Sequence, residues 1–169
     1  MKKSLTISNI LLFLLLVFVI YQQAPISIRN FRAEGNKIVS KQYQLIYAFE
    51  NNKTVLFPPE NSNSIAFFWA SWCGPCKIEM KRLKSSIDNG KISGQLIFAI
   101  NPFETRTEIA QYLKENTFPF TFIEAPELIK QLNINSTPTT LFIEKGAIKS
   151  MSSGMSLIGI WKAENFLRI

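Results

Sequence analysis

The chain has 169 residues, a length that fits one domain plus an extension. Apolar residues make up 47% of it, with fourteen phenylalanines, enough for a normal and strongly aromatic core. The formal net charge is +7, but there is no lysine/arginine block and no aromatic–basic interleaving, so the charge argues for solubility or a nearby anionic membrane and against a nucleic-acid partner.

Met1-Lys2-Lys3 is a short basic start, and Leu5 to Tyr21 is almost wholly apolar, unbroken from Ile10 to Ile20. A membrane span needs roughly 17 to 25 residues, so this stretch is at the short end. A cleaved signal needs small residues at its processing site, and the sequence offers Ala24 followed by Pro25. Residues 1–24 therefore read as a retained signal anchor, a single transmembrane helix. The alternatives are a cleaved signal and a buried helix of a soluble protein. The leading lysines put the N-terminus in the cytoplasm and the rest of the chain on the periplasmic, extracytoplasmic side of the cytoplasmic membrane. Residues 25–36 read as a tether.

The domain is expected over residues 37–169. Lys37 to Phe57 reads as strands. Tyr43, Leu45, Tyr47 and Phe49 alternate with Gln44, Ile46, Ala48 and Glu50, a turn falls at Asn51-Asn52, and Thr54-Val55-Leu56-Phe57 returns. Pro58-Pro59 begins a loop to Ser64. Ile65 to Trp69 reads as a central strand buried on both faces, Cys73 to Ser86 as a helix, and Gln95 to Ile100 as a second buried strand. Those two strands should pair in parallel through the crossover helix. Thr105 to Glu115 is helical, with Ile109, Tyr112 and Leu113 inward, and Phe118 to Ile123 is extended. Pro126 to Leu132 is a helix, Thr139 to Ile143 and the run from Ala147 are strands around a turn at Lys145-Gly146, and Ser156 to Leu167 is the closing helix. The class is α/β, a central mixed sheet flanked by helices.

The only two cysteines, Cys73 and Cys76, stand two residues apart where a buried strand turns into a helix. At a helix N-terminus, unpaired N–H groups and the helix dipole favour a thiolate, the attacking species in thiol–disulfide exchange. The spacing is compatible with a disulfide. Gly74 lets the turn form, and Pro75 is tolerated in a first helical turn. Half a zinc site would need more ligands, and the chain has no histidine and no third cysteine. A structural staple would ordinarily close a longer loop.

The string Phe68-Trp69-Ala70-Ser71-Trp72-Cys73-Gly74-Pro75-Cys76-Lys77-Ile78-Glu79 resembles the active site of the thioredoxin superfamily, and in particular the membrane-anchored TlpA/ResA-like thiol–disulfide oxidoreductases. The resemblance runs from about residue 35 to the C-terminus and is weak in the first third. It implies a thioredoxin-like fold with an added N-terminal β-hairpin, which Lys37–Phe57 would supply. It also gives a meaning to Ser136-Thr137-Pro138-Thr139, similar to the family's segment whose proline is cis and lies beside the cysteines. There Thr137 and Pro138 would pair with a substrate chain by strand addition and hold its disulfide in line with Cys73. Trp72, Gly74 and Pro75 would complete the substrate-binding surface, with Trp72 shielding the site and Trp69 in the core.

Glu79 follows Cys76 by three residues, on the same helix face. In the family such a glutamate exchanges protons with the thiols, and burial would raise its pKa for that work. The plainer reading is a solvated glutamate paired with Lys77, Lys81 or Arg82. Thioredoxins proper carry a buried aspartate six residues before the first cysteine, where this chain has Phe67. That departure leaves Glu79 as the nearby carboxylate and argues against a general cytosolic thioredoxin.

The resemblance implies a protein-disulfide reductase working through Cys73, Cys76 and Glu79, with no cofactor and no metal. Its partners would be disulfide-bearing proteins, apocytochrome c among the family's frequent targets in cytochrome c maturation, and a membrane thiol transporter of the DsbD/CcdA kind as electron donor. The other readings are a disulfide oxidase or isomerase, and a non-catalytic anchored adaptor or chaperone.

Overall fold

The computed structural model describes residues 7–45 and 53–168. The basic start at Met1-Lys2-Lys3 and the expected turn at Asn51-Asn52 lie outside the described residues. Helix α1 (Ile7–Ala33) comes first, then an antiparallel strand pair, β1 (Lys41–Gln44) and β2 (Thr54–Phe57), in the register Lys41↔Phe57 to Gln44↔Thr54. The domain proper runs β3 (Asn63–Phe68), α2 (Gly74–Asp88), β4 (Ile97–Ile100), α3 (Arg106–Glu115), β5 (Thr121–Phe122), α4 (Pro126–Gln131), β6 (Thr139–Glu144), β7 (Ala147–Ser153) and α5 (Gly159–Phe166).

The five-stranded sheet has the order β5-β4-β3-β6-β7. β3 pairs in parallel with β4 through the α2 crossover, as the two buried runs predict, and antiparallel with β6. Strand β3 is apolar on both faces because both faces are covered. Ile65, Phe67 and Trp69 point to one side, with Met80 and Leu83 of α2, Ile109 of α3 and Ala163 of α5. Ala66 and Phe68 point to the other, with Phe57 of β2, Ile123 and Leu128. Phe67 and Phe68 are wholly buried, and truncating either to alanine costs about 3–5 kcal/mol.

The turn at Lys145-Gly146 has φ 48° and 80°, the double positive φ that a two-residue hairpin loop of type I′ needs. Helix α3 starts on a capping box: Thr105 Oγ1 accepts from Glu108 N, and Glu108 Oε2 accepts from Thr105 N.

Several boundaries differ from the sequence expectation: β1 starts at Lys41 rather than Lys37, and β4 starts at Ile97 rather than Gln95, because Gly94–Leu96 forms a tight helical turn. Helix α1 does not give way to a tether at Pro25 but continues to Ala33. Tertiary contacts hold its far end: Ala33 is buried, and Gly35 N donates to Ile148 O while Ile148 N donates to Asn36 O, tying the segment to β7. The extended stretch Phe118–Ile123 is strand only over Thr121–Phe122. Helix α5 starts at Gly159 rather than Ser156; the Ser156 carbonyl accepts from Gly159 N in a turn, and the Ser156 and Leu157 carbonyls also accept from the Arg82 guanidinium.

On α1 the residues Ile10 to Tyr21 are exposed without interruption, an apolar surface on every side of the helix. Among the described residues, no helix is long and apolar enough to cross a membrane.

Candidate active site

Strand β3 delivers the chain to the site. Trp69 N donates to Ile100 O, extending the β3–β4 pairing by one residue, and Cys73 N donates to Ala70 O, closing the turn that opens α2. Cys73 is the N-cap of α2, and Cys76 N donates to Cys73 Sγ at 3.2 Å. The same N–H would stabilise a Cys73 thiolate, as the helix-start position predicts. Gly74 and Pro75 fill the first helical turn, where the proline's missing N–H is no loss.

Cys73 and Cys76 are joined in a disulfide with Cα atoms 5.2 Å apart. The first is 5% exposed and the second fully buried. Cys73 is thus the less buried of the two, which suits it to attack a large substrate and Cys76 to resolve the product.

The Thr137-Pro138 peptide bond is cis, as the resemblance implies. Strand β6 starts with Thr139 opposite Phe68, so Thr137-Pro138 lies at the end of β3 that leads to the cysteines. Gly154 N donates to Pro138 O at 2.7 Å, so this carbonyl already has a partner. Strand addition at this edge would therefore fall to the Thr137 side of the bond.

Glu79 unites the two readings left open by the sequence. It is 7% exposed, and it also pairs with Arg82 at 3.0 Å. Burial raises its carboxyl above the ordinary value, and the Arg82 charge and hydrogen bond oppose that rise without cancelling it. The carboxylate lines a cavity of about 170 Å³ between α2, α5 and the β6–β7 edge, with Leu83, Phe142, Ser156, Gly159 and Lys162 also in its wall. A Cβ at Gly159 would lie 2.7 Å from Glu79 Oε1, so a larger residue there would push this carboxylate aside.

A raised carboxyl has a stability consequence. As pH rises past 4.5, the unfolded chain releases its Glu79 proton before the folded chain does. Folded-state stability therefore falls from there until the folded carboxyl has also ionised. Oxidised Glu79→Gln protein should melt above wild type at about pH 8, with the gap closing at about pH 3, where the wild-type carboxyl is neutral in both states. Thermal melts across this range check it; a gap that does not change with pH would contradict the raised carboxyl.

The other expected residues divide. Trp69 is buried in the core against Tyr112 and Phe122. Trp72, next to Cys73 in the chain, is 65% exposed and leans on Phe103, ring centroids 5.8 Å apart. Lys77 is exposed, with Nζ 5.7 Å from the Tyr112 ring centre.

Two long-range contacts escaped the sequence reading, in which Arg82 is only a candidate partner of Glu79. Arg82 fastens the start of α5 to α2 through the Ser156 and Leu157 carbonyls, contacts 74 and 75 residues apart in the chain. Glu104, at the β4–α3 connection, accepts from Ser71 N at 2.6 Å, from Ser71 Oγ and from Asn101 Nδ2 at 2.5 Å, holding the loop that carries Trp72. No local pattern marks either contact. The nearest signal is Asn101-Pro102-Phe103-Glu104 directly after a buried strand, where a site loop is expected.

Comparison with known proteins agrees with this geometry. The family model described as a thioredoxin-like domain matches residues 50–168. Sporulation thiol-disulfide oxidoreductase A of Bacillus subtilis is 28% identical over 106 residues, covering 59% of this chain and 64% of that protein. Thiol-disulfide oxidoreductase ResA of Geobacillus kaustophilus is 29% identical over 90 residues, 52% of each chain. The chain thus spans about half to two-thirds of the length of these curated relatives. The crystal structure of StoA from Bacillus subtilis superposes with a TM-score of 0.63 at 22% identity, covering 76% of this chain and 96% of that one, which shows the shared fold. With the family model covering well over half of its length, this chain belongs to the thioredoxin-like family.

Proposed function

We propose that this protein is a thiol–disulfide oxidoreductase that reduces disulfides in protein substrates outside the cytoplasm. The observation that carries the reading is Cys73 as N-cap of α2, its sulfur accepting from Cys76 N, with Cys76 buried behind it. The names of the relatives, thiol-disulfide oxidoreductases, support the activity.

The reaction starts from the dithiol. Cys73 thiolate attacks one sulfur of the target disulfide. A Cys73–target S–S bond forms, the target's own S–S bond breaks, and the departing sulfur takes up a proton. Cys76 gives its proton to the Glu79 carboxylate and attacks Cys73 Sγ. The Cys73–Cys76 bond forms and the second target sulfur leaves, protonated in turn from Glu79. Two electrons pass from the dithiol to the target, and the oxidised pair seen here is the product state. Thr137 beside the cis bond would hold the substrate backbone, and Gly74, Pro75 and Trp72 would face it.

Gly74-Pro75 between the cysteines supports the reducing direction, since strong oxidants of the superfamily carry a histidine there. The dithiol must be regenerated by another protein, and a membrane thiol transporter of the DsbD/CcdA kind has the matching chemistry. The apolar girdle from Ile10 to Tyr21, exposed on every face of α1, supports an anchor in lipid with the domain on the extracytoplasmic side. Disulfides of apocytochrome c are the substrate class that the resemblance to TlpA/ResA-like proteins suggests.

The test is equilibration of the Cys73–Cys76 pair with glutathione redox buffers. A reductase should have a midpoint near that of thioredoxin, about −270 mV, whereas a value near −120 mV, that of the strong oxidant DsbA, would overturn the direction proposed. Glu79→Gln should slow release of the mixed disulfide about a hundredfold and flatten its dependence on pH, measured by stopped-flow of the reduced protein against a peptide disulfide. A change of less than about threefold would remove Glu79 from the proton path.

A further inference from the structure

Outside α1, three large aromatic side chains are exposed among the described residues: Trp72, Phe103 and Trp161. Two of them touch. Trp72 and Phe103 have centroids 5.8 Å apart and rings inclined by 43°, and they remain 65% and 46% exposed. Trp72 is the residue next to Cys73 in the chain, so the pair is carried by the backbone that leads into the N-cap of α2.

The pair comes from two different loops, and charged and polar groups lock those loops together. The Glu104 carboxylate receives Ser71 N, Ser71 Oγ and Asn101 Nδ2. Asn101 Oδ1 in turn accepts from Phe103 N and Glu104 N, both at 3.0 Å. Ser71 precedes Trp72 and Phe103 precedes Glu104, so this network fixes both backbones within one residue of each ring. Exposed aromatic rings on a braced loop form a surface with little ordering left to lose on binding.

We propose that Trp72 and Phe103 form one docking ledge, braced by Glu104, that selects disulfide-bearing polypeptides with an apolar side chain next to the cysteine attacked. The proposal rests on the thiol–disulfide reading above and names the substrate feature that reading leaves open. The occupant follows from the approach that the chemistry requires. A substrate sulfur in line with Cys73 Sγ brings its flanking residue over the neighbouring ledge, and an apolar or aromatic side chain there covers both rings. Trp72 and Phe103 are binding residues in this account, and Glu104 is a positioning residue acting through Ser71 and Asn101.

The experiment uses reduced full-chain protein and two oxidised peptides, identical except for phenylalanine or glycine next to the reacting cysteine. Wild type should favour the phenylalanine peptide about tenfold in kcat/KM, mostly through KM. Phe103→Ala should bring the preference to about twofold or less. Glu104→Ala should lose it similarly, and Glu104→Gln, which keeps an acceptor for Ser71, should restore part of it. Equal rates on both peptides with wild type, or an undiminished preference in Phe103→Ala, would overturn the ledge alone. No reaction with either peptide would overturn the thiol–disulfide reading and the ledge with it. Phe103 is half-exposed, so its variant carries the test even where Glu104→Ala fails to fold.

Discussion

Cys73→Ser should abolish disulfide reduction, by roughly a thousandfold or more, while Cys76→Ser should still attack and then stall as a mixed disulfide through Cys73. The asymmetry follows from the geometry. Cys73 caps α2 and is the less buried of the two cysteines, and its sulfur receives the Cys76 N–H. Without it no sulfur can reach a protein-sized substrate, because Cys76 is fully buried. Without the Cys76 sulfur, the Cys73 thiolate keeps its helix-terminus stabilisation, since that comes from the backbone N–H of residue 76 and survives the substitution. The intermediate then persists because its resolving sulfur is gone. Non-reducing gels with a peptide disulfide check both outcomes. A Cys76→Ser protein that forms no covalent adduct, or an adduct that forms equally in Cys73→Ser, would contradict the assignment of attacker and resolver. A Cys73→Ser protein that kept its function would favour an adaptor over an enzyme.

The second large effect is on folding. Gly94→Ala should destabilise the protein by about 3 kcal/mol, possible relief included, at the upper end of what overpacking costs. A Cβ on Gly94 would sit 1.8 Å from the Pro119 carbonyl oxygen and 3.0 Å from its carbon. The obstacle is backbone, which cannot rotate away as a side chain can. The Pro119 segment is held on both sides, since Phe120 is buried, Phe118 stacks on it, and Thr121–Phe122 pairs with Phe98 and Ala99 of β4. Relieving the clash means moving the β5 edge of the sheet. Gly74→Ala is the natural control: a Cβ there meets nothing within 4 Å, so its stability should stay within about 1 kcal/mol of wild type. Urea unfolding with unchanged m-value measures both, and a Gly94→Ala protein as stable as wild type would refute the close packing of this turn.

The parts of the fold that were legible in the sequence are those written in consecutive residues. Ile65 to Trp69 is apolar at every position because β3 is covered on both faces, and the Cys73-Gly74-Pro75-Cys76 turn states its own chemistry. The Lys145-Gly146 turn was likewise carried by neighbouring residues. What escaped depends on contacts between distant segments. Pro25 lacks the N–H of a helix interior, yet α1 continues through it because its far end is docked on β7. The pattern of α5 would allow a start at Ser156, where the chain makes a turn instead, tied to α2 by Arg82 across 74 and 75 residues. Glu79 could be placed on the Cys76 face by counting, whereas its burial depends on α5, and its partner Arg82 was one of three cations within reach. Glu104 sits 33 residues from Ser71, and nothing near either residue announces the pairing.

The central claim is that the Cys73–Cys76 pair works as a reductant, recharged by a membrane donor. The most direct measurement is its redox state in living cells, by acid-quenched alkylation with a mass-tagged thiol reagent. The account predicts a pair that is mostly reduced at steady state; a pair found mostly oxidised in growing cells would contradict it.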